Sequence, residues 1–374
     1  MLTFVKKIIK KIKYLFNFLS RIYNYNVLPN FKTLPPKMLI IAVTSQCNFR
    51  CQMCDVWRRG IRKEQELKFS DWQKMMKDPI FSSIEALNIT GGEPFLHPEL
   101  PKLINLYLES MPRLRDLSIS TNGFFTQKIV SLVKDLAPIA EKRGIKLIIS
   151  VSMDEIGEAH DSLRGFVGAF QKVEETILEL KNLQKKYDLF FMVNCVISKK
   201  NLYEVKKIRE WCETRNIPLR LTLVGFFDTG FISNADKKSE LDFTKEDKNF
   251  LLETLKSLSF RDRNNFASYY FYDMLHLYKN KSRRTIPCPF IIDGFNIDCL
   301  GEVRYCFRNK EIGNFLENFS ISEIYYKPEN LIFRAQIKKK ICPQCNATCH
   351  CEVETENEFL KLFWFSLTGR RPWW

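Results

Sequence analysis

The sequence predicts an α/β fold, and three observations carry the prediction. Between residues 38 and 225, short apolar runs alternate six times with amphipathic stretches, the rhythm of a parallel sheet with helical crossovers, either open and doubly wound or curved into a barrel. The residues with the most distinctive chemistry fall at the C-terminal ends of those runs, where parallel sheets meet their ligands. The length of 374 residues suits one large domain and a smaller one, at roughly 100–200 residues each. Ordinary glycine and proline contents and 13% aromatic residues exclude a disordered or collagen-like chain. A chain this long builds its core without disulfide staples.

The elements follow in order. Over residues 1–24, Phe4, Ile8, Ile12, Leu15, Leu19 and Ile22 recur every three or four positions with lysines on the other face, which predicts an amphipathic helix. Pro29, Pro35 and Pro36 make residues up to 37 a linker. Strands are expected at Met38–Thr44, Ala86–Ile89, Asp116–Ser120, Lys146–Val151, Phe190–Ile197 and Leu219–Val224. Helices are expected at Ser70–Lys77, Pro98–Leu108, Thr126–Ala140, Ala169–Tyr187 and Leu202–Arg215, with Ser70 and Thr126 suited to helix starts. One more helix, Thr244–Ser259, closes a core of residues 38–260. Residues 261–352 are turn-rich and cysteine-rich, and 353–374 form an aromatic tail ending in Trp373-Trp374.

Charge and cysteines bound the function. Residues 1–37 carry eight of the basic side chains and no acid, more than half of the net charge of +15. A nucleic-acid-binding domain would carry that charge on its folded body, so no nucleic-acid partner is expected. A lysine-faced helix suits an anionic membrane interface, with docking of its apolar face on the protein as the rival. No window reaches the ~18–20 uncharged apolar residues of a membrane span, and the N-terminus lacks a secretory signal. The chain is therefore expected in a reducing cytoplasm, in peripheral contact with the inner membrane face through residues 1–24. There, clustered thiols favour metal over disulfides.

Cys47-Asn-Phe-Arg-Cys51-Gln-Met-Cys54 follows the first strand. Three thiolates in eight residues can wrap a cubane iron–sulfur cluster and leave its fourth iron open. A zinc knuckle lacking its fourth ligand and plain buried thiols are the alternatives. Thr90-Gly91-Gly92-Glu93-Pro94 ends the second strand: two glycines let backbone approach a ligand, and a carboxylate suits an ammonium. Ser120-Thr121-Asn122-Gly123 ends the third, Ser150-Val-Ser152-Met-Asp154 the fourth, and Asn194 lies on the fifth.

Together these motifs resemble the radical S-adenosylmethionine (radical SAM) superfamily over residues 39–225. The resemblance selects the curved form, a partial (β/α)6 TIM-like barrel. It implies a 4Fe–4S cluster on Cys47, Cys51 and Cys54 that binds SAM. It further implies that Gly91, Gly92 and Glu93 hold the SAM amino group, that Thr121 and Ser152 contact its nucleoside, that Arg164 meets its carboxylate, and that Asn194 is another SAM contact. Met53 departs from the family, where many members place an aromatic residue.

Downstream, Cys288, then Gly301 and Cys306, then Ile312-Gly313-Asn314-Phe315 and Cys342-Pro-Gln-Cys345 resemble a SPASM/twitch-like domain. This implies a hairpin at Gly301 and one auxiliary 4Fe–4S cluster on Cys288, Cys306, Cys342 and Cys345. Position 355 is threonine where the two-cluster pattern needs cysteine, so Cys299, Cys349 and Cys351 have no assigned task. Zinc on Cys342, Cys345, Cys349 and Cys351 is the rival. His97 reads as a helix start, Asp273 and His276 as a helical pair, His350 as a bystander among thiols, and Cys195 and Cys212 as packing residues. No residue is assigned as catalytic acid or base.

The expected function is reductive cleavage of SAM and hydrogen abstraction from a substrate carbon, served by a flavodoxin- or ferredoxin-type reductant. The single auxiliary cluster resembles that of members oxidising sugars or other small molecules, and 37 residues are too few for a peptide-leader domain. Oxidation of a small molecule or glycan therefore ranks above peptide maturation, and lipid modification comes third. A zinc-dependent binding protein and an inactive membrane scaffold are the readings from other classes.

Overall fold

In the computed structural model, residues 27–227, 231–259, 266–280, 283–286 and 288–347 are described, with residues 23, 367 and 368. The helix expected over 1–24, the aromatic tail, and Cys349, His350 and Cys351 lie outside them, those three residues apart. Six parallel strands, β1 (Met38–Ala42), β2 (Ala86–Thr90), β3 (Asp116–Thr121), β4 (Lys146–Ser152), β5 (Leu189–Ile197) and β6 (Leu219–Leu223), stand side by side in chain order. This is the parallel sheet of a partial barrel, and each strand starts and ends within two residues of its expected bounds. β1 is buried at every position, Met38 to Ala42, as a strand covered on both faces must be.

Helices Leu100–Ser110, Thr126–Arg143, Ala169–Gln184 and Val205–Thr214 connect consecutive strands. Thr126–Arg143 runs through Pro138 and stops at Gly144, whose φ of 63° makes a left-handed cap. A further short helix, Glu158–Arg164, follows β4 and carries Arg164 at its end; capped by Gly165, it is too short to declare an apolar period in the sequence. The apolar core spans the whole sheet, with Trp72, Tyr107 and Phe191 among its largest buried side chains.

The cysteine-rich region does not stand apart. β7 (Gly294–Ile297) pairs parallel with β1, opposite Met38–Ile41. β8 (Glu302–Arg304) pairs antiparallel with β7, and β9 (Gly313–Asn314) with β8, giving one nine-stranded sheet. The turn between β7 and β8 contains Gly301 at φ +80°, the hairpin expected from the sequence. Helices Phe266–Asn280, Ile321–Tyr326 and Glu329–Lys340 flank this extension. No helix among the described residues is long and apolar enough to cross a membrane.

Candidate active site

The loop of Cys47–Cys54 is positioned by main chain. After β1, Val43 N–H donates to Thr90 O (2.9 Å), Gly92 N–H to Thr44 O (2.7 Å) and Glu93 N–H to Gln46 O (2.8 Å). The loops after β1 and β2 thus run in contact, and only glycine fits between them. A Cβ on Gly91 would lie 2.4 Å from Thr44 O, at φ +143°, and one on Gly92 would lie 2.2 Å from Gln46 O. The close approach that both glycines permit is to the cysteine loop itself, a packing requirement that the sequence reading assigned to a ligand. From the other side, Arg50 N–H donates to Arg164 O (3.0 Å) and Gln52 N–H to Leu163 O (2.9 Å). Gly165 again leaves no room, with a virtual Cβ 2.5 Å from Arg50 O.

Glu66 completes the clamp and had no sequence signal. Its buried carboxylate accepts from Thr44 Oγ1 (2.8 Å), Ser45 N–H (2.7 Å) and Ser45 Oγ (2.6 Å). Charge-assisted bonds of this kind are about twice as strong as neutral ones.

A cavity of about 270 Å3 opens at the C-terminal ends of the strands. Cys47, Cys51 and Cys54 line it together with Gly91, Gly92, Thr121, Ser152 and Arg164, so eight residues predicted from the sequence meet in one place. Met53 lines it as well, its carbonyl accepting from Asn234 Nδ2 at 2.9 Å. Glu93 does not line it. This side chain is fully buried and accepts from Asn122 N–H (2.6 Å), Thr121 Oγ1 (2.8 Å) and Phe95 N–H (3.1 Å), bracing the loops after β2 and β3. Burial pushes its carboxyl up to about 7 against those three bonds. Asn194 is not among the lining residues either; it faces Ser152 across the β4–β5 register.

Charge inside the site is concentrated in one pair. Arg164 Nη2 lies 2.6 Å from Asp154 Oδ2, both buried, while Nη1 points at Cys51 Sγ at 3.8 Å. Burial raises all three loop thiols, Cys47 and Cys54 to about 12, and Arg164 opposes the rise at Cys51. Unliganded thiols in such a site stay protonated, whereas metal binding takes the thiolate and reverses that cost. Three mutually close thiols on one cavity wall, with a guanidinium beside the middle one, fit a 4Fe–4S cluster with an open iron. Among the described residues no three His, Cys, Asp or Glu side chains are drawn together to hold a single ion. A single metal needs its thiolates about 2.3 Å away, while a cluster of four irons spreads them around a larger body.

The C-terminal cysteines fall into two pairs. Cys288 and Cys306 share an apolar pocket with Phe290 and Phe307 beside β1. Cys342 opens a one-turn 3-10 helix, Cys342–Gln344, and Cys345 caps it, with side chains from elsewhere holding the turn. Arg284 Nη1 donates to Ala347 O (2.7 Å) and Cys345 O (3.4 Å). Asn346 donates to Val224 O (2.8 Å) at the end of β6, and its carbonyl accepts from Tyr270 OH (2.7 Å). Arg308 joins the pairs: its N–H donates to Cys306 Sγ (3.4 Å), and its Nη2 donates to Asn346 Oδ1 (2.9 Å).

The lesser candidates resolve without catalysis. His97 Nδ1 accepts from Glu99 N–H at 3.2 Å, ahead of the helix beginning at Leu100. Asp273 accepts from Thr285 N–H (2.9 Å) and Oγ1 (2.6 Å), and His276 contacts Asn280 at 3.2 Å. Cys195, Cys212 and Cys299 are fully buried.

Comparison with known proteins agrees with this geometry. Residues 41–212 match the radical SAM superfamily. The chain is 30% identical over 188 residues to GTP 3',8-cyclase of Aliarcobacter butzleri, covering 49% of this chain and 53% of that one; it spans about half the length of the curated relatives it matches. Its fold is similar to that of anSMEcpe with bound AdoMet (TM-score 0.61, 19% identity, 90% of this chain and 100% of that one). It is also similar to Streptococcus suis SuiB bound to S-adenosylmethionine (TM-score 0.56, 14% identity, 92% of this chain and 79% of that one).

Proposed function

We propose that this chain, whose residues 41–212 match the radical SAM superfamily, is an enzyme that cleaves SAM reductively and takes a hydrogen atom from a substrate carbon. The observation that carries the reading is the convergence of Cys47, Cys51 and Cys54 with Gly91, Gly92, Thr121, Ser152 and Arg164 on one cavity. When bound, the 4Fe–4S cluster supplies the electron that cleaves SAM. The chain's own residues do the rest. Arg164, fixed by Asp154, offers a cation to the SAM carboxylate and to the Cys51 thiolate. Thr121 and Ser152 face the nucleoside, with Asn194 beside them. Glu93 keeps the Thr121 loop in place, and Met53 and Trp57 shield the site from water.

The substrate is a sugar or another small molecule, oxidised with help from one auxiliary 4Fe–4S cluster on Cys288, Cys306, Cys342 and Cys345. The mix of Phe227, Ile232 and Asn234 at the cavity's β6 end suits such a compound. A second reading, peptide modification, draws on the fold: SuiB is similar over 92% of this chain, and one of its structures is bound to precursor peptide SuiA. A flavodoxin- or ferredoxin-type protein serves as reductant. Residues 1–24 bring the cytoplasmic enzyme to an anionic membrane face.

Anaerobic reconstitution tests the core of this. About eight irons per chain and dithionite-dependent 5'-deoxyadenosine, absent in Cys51→Ala, are expected. Stoichiometric zinc without SAM cleavage would refute it in favour of a zinc-binding protein. Deuterium passing into 5'-deoxyadenosine from a labelled sugar supports the first substrate class; passage from a peptide alone moves the assignment to the second. Deleting residues 1–28 should abolish binding to anionic vesicles. Loss of clusters in that truncation would mean the arm packs on the core.

A further inference from the structure

The cavity has an uneven charge pattern that the SAM residues leave unused. None of the described residues lining it is a carboxylate. At the cluster end the positive charge of Arg164 is matched by Asp154. Behind the lining residues at the β6 end stands Arg308, which has no carboxylate partner among the described residues, although its charge also acts on the Cys342 and Cys345 thiols. Its guanidinium lies over the ring of the lining residue Phe227, 4.8 Å from the centroid. Its Nη2 lies 2.9 Å from where a Cβ on Gly225, another lining residue, would stand. Asn346 Oδ1 and the Phe227 ring are both neutral, and Nε is buried without any hydrogen-bond partner. An unpaired buried donor on a cation is a costly arrangement. Trp57 adds a second such donor on the cavity wall, its buried Nε1–H also unpartnered.

The residues that the SAM reading uses lie on the loops after β1 to β5. Arg308 and its neighbours Gly225 and Phe227 lie past them, between the β6 end and Cys306. We propose that Arg308 is a substrate-anchoring residue that takes an anionic group, a phosphate or carboxylate, of the molecule whose carbon is oxidised. With no carboxylate on its fork and its Nε unpartnered, the guanidinium keeps donors for a ligand, and its planar geometry suits either oxyanion. Phe227 holds the guanidinium flat by a cation–π contact. A Cβ at Gly225 would push the guanidinium end aside. The substrate therefore carries both an oxidisable carbon and an anion. This rests on the cavity being the active site of a radical SAM enzyme.

The experiment uses anaerobically reconstituted protein loaded with SAM, titrated calorimetrically with inorganic phosphate and, separately, with acetate. Wild type should bind at least one of the two saturably. Arg308→Gln should weaken that binding tenfold or more, and Arg308→Lys should retain most of the phosphate binding as a point charge. Should Arg308→Gln fail to fold, Gly225→Ala serves instead: it keeps the charge but pushes the guanidinium aside, and should weaken binding as well. No saturable binding of either anion to wild type overturns the proposal, as does equal binding by wild type and Arg308→Gln. So does a variant whose one change is a shifted auxiliary-cluster potential, since Arg308 would then serve that cluster's charge. Formation of 5'-deoxyadenosine by wild type without any added anion tests the underlying reading separately, so the two can fail independently.

Discussion

The chain holds two groups of cysteines, and it holds them by different means. The Cys47–Cys54 loop is gripped chiefly by main chain: Arg50 and Gln52 bond to the backbone of Arg164 and Leu163, and Thr44 and Gln46 just before it to that of Gly92 and Glu93. Gly91, Gly92 and Gly165 remove side chains from the contact, and Glu66 and Asn234 add to it. The Cys342–Cys345 turn is held mainly by side chains: Arg284 reaches the Cys345 and Ala347 carbonyls from far along the chain, beside one main-chain bond from its N–H to Pro343 O, and the neighbouring Asn346 reaches out to Val224 O. A main-chain grip has few degrees of freedom and holds the three cysteines within a small tolerance. A side-chain grip can be re-aimed through rotamers.

Substitutions can break or sharpen that contrast. The largest effect is expected at Gly92: Gly92→Ala forces a Cβ against Gln46 O and should cost about 3 kcal/mol by overpacking. Urea unfolding together with loss of loop iron would register it, and an unchanged midpoint would mean that the main-chain grip is slack. Next, Cys51→Ala should drop 5'-deoxyadenosine to background while the auxiliary iron stays, so that about half the iron remains by chemical assay. Equal loss from both sites would show that the two groups assemble as one.

Arg284→Ala strips the donors from Cys345 O and Ala347 O, an expected loss of about 1–3 kcal/mol. Its iron deficit should fall on the auxiliary site; a deficit at the Cys47–Cys54 loop would contradict separate grips. The smallest effect concerns pH. Burial raises the Glu155 carboxyl, beside the Asp154–Arg164 pair, from the ordinary 4.5 to about 7. Between those values the folded chain holds that proton more tightly than the unfolded chain, so stability should fall as pH rises from about 4.5 to about 7 and then level. Glu155→Gln should flatten that fall in urea midpoints taken from about pH 5 to about pH 8; an unchanged slope assigns the effect to other groups.

The same contrast decides what could be read from the sequence. β1 to β6 are buried apolar runs bounded by breakers, so Met38–Ala42 and Lys146–Ser152 were legible almost to the residue. The Cys47–Cys54 loop was legible because a main-chain grip leaves marks in place: glycines, and ligands at short spacing. Glu66, Asn346 and Arg308 were not. Each works through a side chain that folding brings from far along the chain, and a lone Glu, Asn or Arg in a polar stretch carries no period or spacing. β7 was missed for a related reason: Gly294–Ile297 is four residues long, and its place beside β1 is set by a pairing partner far upstream. Glu93 was found in sequence, yet its burial behind Thr121 came only with the tertiary structure.

That pairing of β7 with β1 also sets a timetable. Met38 is opposite Gly294, so β1 emerges from the ribosome early and its second edge must wait for nearly the whole chain. At about 5–20 residues per second the wait is on the order of 10–50 s. For that interval a fully apolar strand, the one that leads into the reactive cysteines, offers an unsatisfied edge to any passing chain. Iron loading before the last strands arrive would meet a half-built sheet, and a C-terminally truncated product would keep its aggregation-prone edge permanently.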